Sequence, residues 1–91
     1  MLTVPSKPMR KLKARPEGEG RYTLTFTSPL KNEDEFEMTI KEVIGPFLAE
    51  SDVIFDLCWE TKSFSLTTTD LKTIQRELIH HLIIIKIDTS S

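Results

Sequence analysis

The stretch Asp52–Thr69, DVIFDLCWETKSFSLTTT, restricts the fold more than any other part of the chain. Val53, Phe55, Leu57 and Trp59 alternate onto one face, and Phe64, Leu66 and Thr68 repeat the alternation after a short polar break. A period of two over this length is the pattern of two strands joined as a hairpin. A hairpin with one apolar face is not stable alone in water, so other segments must cover that face.

The covering segments can be read in order. Arg21–Ser28 alternates Tyr22, Leu24 and Phe26 with Thr23, Thr25 and Thr27, and Ser28-Pro29 ends that strand. Asn32 is placed to cap a helix, with Glu35 completing a capping-box-like arrangement. Phe36, Ile40, Val43, Ile44 and Phe47 then fall at helical spacing. Gly45-Pro46 interrupts that stripe, because proline lacks the N–H and clashes one turn back, so the spacing predicts a helix end near Ile44. Thr69 or Asp70 caps a second helix carrying Leu71, Ile74, Leu78 and Leu82 on one face. Ile83–Asp88 is β-branched and alternating, which predicts a last strand; a helix running on to Lys86 is the rival reading. Strand, helix, strand, strand, helix, strand is an α+β order, the ferredoxin-like split βαβ layout. It implies an antiparallel sheet with two helices on one face.

Ninety-one residues suffice for one domain with a modest core. The division expected is a flexible, Pro- and Gly-containing basic arm over 1–20 and one α+β domain over 21–91. Residues 1–15 hold Lys7, Arg10, Lys11, Lys13 and Arg15 with no acidic side chain, whereas the remainder holds seven basic and fourteen acidic side chains. The small net charge of −2 therefore conceals a basic arm on an acidic body. No apolar run approaches the roughly 20 residues that span a bilayer, and no apolar block follows the basic start, so neither a membrane span nor a secretory signal is expected. A lone cysteine, Cys58, makes no internal disulfide and no zinc site of the usual kind, which points to an intracellular, cytoplasmic setting.

The catalytic repertoire is thin. With glycine only at 18, 20 and 45, no phosphate-binding or dinucleotide loop can be drawn. His80 and His81 are neighbours and would point about 100° apart on a helix; Glu77 is spaced to pair with His81. Glu33, Asp34, Glu35 and Glu37 suit the first turn of a helix better than a metal. Cys58 would sit near Asp56 and Glu60, whose charges raise a thiol pKa. No catalytic residue, metal, cofactor or small-molecule ligand is implied.

Two surfaces remain. The outer face of the sheet would carry Thr23, Thr25 and Thr27 with Ser65 and Thr67, an interaction face of hydroxyls. In the same register Tyr22, Phe26, Phe55, Trp59 and Phe64 all fall on the helix-covered face, which argues against base stacking on the sheet. The basic positions Lys7, Arg10, Lys11, Lys13 and Arg15 could grip phosphates. Residues 22–82 resemble in layout the small dimerising subunit of the KEOPS tRNA-modification complex, sharing Phe26 at the first strand's end and Thr69-Asp70-Leu71 at the last helix's start. Gln75 stands after Ile74 where that family usually has arginine, and the layout is shared by unrelated families. The expectation is a non-catalytic module that binds another macromolecule, protein or itself as a homodimer. Alternatives are a nucleic-acid accessory protein using the arm and an acidic inhibitor or immunity-type protein.

Overall fold

In the computed structural model, which describes residues 9–88, the sheet begins at Arg10 rather than Arg21. Strand β1, Arg10–Gly18, buries Leu12 and Ala14 at alternate positions and leaves Lys11, Lys13 and Arg15 exposed between them. A tight turn through Gly20, whose φ of +72 favours glycine, leads to β2, Arg21–Phe26. Then come α1, Glu33–Met38, the hairpin β3, Val53–Cys58, and β4, Ser63–Thr67, the helix α2, Leu71–Ile79, and β5, Ile83–Ile87. The fold is thus α+β with two helical segments and a five-stranded sheet.

Three expectations are corrected here. The layout carries one strand more than the ferredoxin-like order, and the segment from Arg10 to Gly18 is a strand inside the sheet rather than an arm. The strand order is β3-β4-β2-β1-β5. β1 is antiparallel to β2 and parallel to β5, so the sheet is mixed rather than antiparallel. Without β1, β2 would neighbour β5, as the split βαβ layout requires; β1 occupies the position between them. Pro16 is tolerated because of where β5 stops. Arg10 and Asp88 donate their N–H groups to Leu82 and Ala14, so even-numbered β1 residues turn their backbone towards β5. Pro16 lies past the last such bond, where a missing N–H breaks no ladder.

The core lies between the sheet and both helices. Leu12, Ala14, Leu24, Phe26, Phe64, Leu66, Ile83 and Ile85 line one sheet face, and Phe36, Ile40, Ile44, Leu71, Ile74 and Leu78 come down on them. Phe26 meets Phe36 edge-on at 5.6 Å between centroids, and Trp59 closes the cluster 5.8 Å from Phe36. α1 starts as its sequence predicts, with Asn32 Oδ1 accepting from the Glu35 N–H at 2.9 Å. The Glu35 carboxylate accepts from the Lys31 N–H and from Arg10 at 3.1 Å, and these contacts hold its carboxyl below the usual range. Past Met38 the helix widens into a π-helical turn, Thr39–Ile44, then tightens into a 3-10 turn, Gly45–Phe47, so the expected end near Ile44 marks a change of winding. The second helix stops at Ile79, and Leu82, at a φ of +61, turns the chain into β5; Ile83–Ile87 is therefore strand, not helix.

β3 departs from a simple alternation. Ile54 opposes Leu66 on the core side, whereas Val53 and Phe55 oppose Thr67 and Ser65 on the other. Between Phe55 and Cys58 two residues, Asp56 and Leu57, face one on β4, and Asp56 takes a φ of +55. This bulge resets the alternation, so Trp59 returns to the core while Phe55 does not. The expectation that Phe55 shares a face with Trp59 is corrected accordingly.

Candidate macromolecular interface on the open sheet face

Among the described residues no element covers the second sheet face, and the registers order its side chains into rows across the strands. One row runs Arg15, Thr23, Ser65, Phe55 from β1 to β3. The next runs Lys86, Lys13, Thr25, Ser63, Cys58 from β5 to β3. Lys11 opposes Ile84 beyond it, and Arg21 opposes Thr67 at the other end. Short hydroxyl side chains occupy β2 and β4, so the middle of the face is low and flat, with cations along the β1–β5 side.

The cations are solvated. Lys11, Lys13, Arg15 and Lys86 are all exposed. Lys13 and Lys86 stand directly opposite one another, an arrangement of like charges that costs stability in an isolated sheet. Asp88 relieves part of it, at 3.7 Å from the Lys13 ammonium, yet the Lys13 side chain keeps 56% of its surface open. A shallow groove of about 760 Å³ runs here, lined by Lys11, Lys13, Thr27, Ile84, Lys86 and Asp88. Across the sheet a smaller depression of about 240 Å³ lies beside Phe55, bordered by Glu17, Arg21, Thr23, Asp56 and Ser65.

Of the five basic positions singled out from sequence, Lys11, Lys13 and Arg15 come together on this face. Lys7 lies outside the described residues. Arg10 has the opposite parity; it faces the helices and pairs with Glu35. The hydroxyl positions Thr23, Thr25, Ser65 and Thr67 do share the open face, half-buried, with Thr27 just past the end of β2. Sequence reasoning thus treated as two surfaces what the sheet presents as one. It missed Lys86, whose alternation with Ile83, Ile85 and Ile87 already placed it opposite the core, and Phe55, which the bulge conceals.

Other candidates resolve into structure. Cys58 is half-exposed, and its thiol is lowered by hydrogen bonds from Thr61 although the Glu60 charge opposes this; the expected rise is corrected. His81 packs its ring on Phe47 at 4.6 Å. Both sheet edges are blunted: β3 by its bulge, and β5 by Gln75, whose side-chain amide donates to the outward carbonyl of Ile85. Among the described residues, no group of three or more His, Cys, Asp or Glu side chains is placed to hold a metal ion, and no helix is long and apolar enough to cross a membrane. Compared with protein-family models, curated proteins and solved structures, the chain matches none.

Proposed function

We propose that the protein is a non-catalytic binding module whose open sheet face takes an anionic macromolecule. The reading rests on one observation: Lys11, Lys13 and Arg15 project from a single strand face beside Lys86, all exposed, with Asp88 3.7 Å from the Lys13 ammonium. Side chains that repel one another across a strand pair are useful when an external polyanion neutralises them, and a row of phosphates or sulfates does so without local sequence preference. The blunted edges favour the face over edge pairing as the place of contact.

The test is the salt dependence of binding to a labelled oligonucleotide or to heparin, read by fluorescence anisotropy on the full chain. Three to four neutralised charges correspond to a log–log slope of about −2 to −3 for a single strand. The double substitution Lys13→Glu and Arg15→Glu should abolish binding. Association that ignores both salt and these substitutions would refute the reading.

A further inference from the structure

Phe55 occupies an unusual position for an aromatic residue in this sheet. Tyr22, Phe26, Trp59 and Phe64 belong to the core or pack against it; Phe55 is on the other side and is not part of that cluster. Among the described residues its ring has no aromatic partner, and it is only partly buried. It borders the depression shared with Glu17, Arg21, Thr23, Asp56 and Ser65. Pairing with Ser65 puts the ring there, and the left-handed backbone at Asp56 belongs to the bulge that follows and separates it from Trp59.

We propose that the anionic ligand is a single-stranded nucleic acid laid across the strands, its phosphates on Lys13, Arg15 and Lys86 and one base stacked on Phe55. This rests on the polyanion reading above and names its ligand class. Arg15 and Phe55 end the same row, with only Thr23 and Ser65 between them. Three strand spacings separate the ends, about 14 Å. A strand crossing that width meets cations first, then a low hydroxyl floor, then a ring. An open sheet bearing an aromatic platform suits splayed bases, and a duplex keeps its bases stacked out of reach of such a ring.

The rim of the depression adds a preference. Glu17 and Asp56 put carboxylates on the rim, which repel a phosphate but accept from an exocyclic amine such as cytosine N4. Bases carrying an exocyclic amine, cytosine, adenine and guanine, are favoured on Phe55 over thymine or uracil, which have none. The assignment thus divides the face: backbone at β1 and β5, base at β3.

The deciding experiment is anisotropy on the full chain with labelled oligo-dC, oligo-dT and a duplex of equal length, with heparin as an anionic competitor lacking bases. Phe55→Ala, on the face away from the core, should weaken oligo-dC binding by about 5- to 160-fold, the range for losing one base stack. Phe55→Tyr should restore it, and heparin affinity should not change with either. Oligo-dC should bind more tightly than oligo-dT and than duplex. Heparin and oligo-dC binding that both ignore Phe55→Ala, or a duplex preferred to a single strand, would overturn this inference while leaving the polyanion reading intact. Failure of the unaltered chain to bind heparin or any oligonucleotide at low salt would overturn both.

Discussion

Lys13 and Lys86 state the problem at the scale of single residues. Two ammonium groups placed directly opposite on neighbouring strands disfavour the fold, and opposed pairs in sheets are worth roughly 0.2–1 kcal/mol in either direction. Lys86→Thr removes the repulsion and keeps a β-favouring side chain. Its expected result is a two-sided one: a gain in stability of a few tenths of a kcal/mol in the free protein, and a salt slope shallower by about 0.7 on a single strand. Thermal melts and salt titrations of the same sample read both. A variant that loses stability and keeps its full slope would show that Lys86 serves the fold and not the ligand. Arg10 is the counter-example at this scale. Only one position from Lys11 in sequence, it faces the other way and caps the start of α1 through Glu35, so counting charges along the chain overstates the basic surface.

At the scale of elements, the central fact is β1. Its sequence, RKLKARPEG, offers just Leu12 and Ala14 as core residues among cations, with Pro16 behind them, and that composition reads as a solvated tail. What makes it a strand is nonlocal: β2 on one side and β5 on the other supply backbone partners along both edges. Such pairing leaves no periodic signal of its own beyond two buried positions. A chain beginning at Arg21 would therefore lose the connector between β2 and β5 and expose Ile83 and Ile85. Its expected behaviour in circular dichroism is the absence of a cooperative thermal transition, whereas a cooperative melt matching that of the full chain would contradict the central role of β1. The capped helix starts at Asn32 and Asp70, β2, β4 and β5 were legible because each rests on local rules of capping or alternation. The bulge in β3 was not legible. DVIFDLCW alternates acceptably in either register, and only pairing with β4 decides that Ile54 goes in and Phe55 out.

For the molecule as a whole, the sheet separates charge into two layers. Lys11, Lys13, Arg15, Arg21 and Lys86 lie on the open face, while Glu33, Asp34, Glu37 and Glu42 ride on the helical side. Cations thus predominate on the bare sheet, where Glu17, Asp56 and Asp88 also lie, and α1 is acidic, an arrangement that would favour the proposed polyanion on the sheet side. The acids of α1 and the proposed cationic surface lie on opposite sides of the sheet.

The most direct test of that account is an amide chemical-shift map of the isotopically labelled full chain, titrated with heparin at low salt. The account requires shifts centred on Lys11, Lys13, Arg15, Thr25 and Lys86, with Glu33–Met38 and Leu71–Ile79 left unperturbed. Shifts confined to the helices, or an open face that stays silent at saturating ligand, would contradict it.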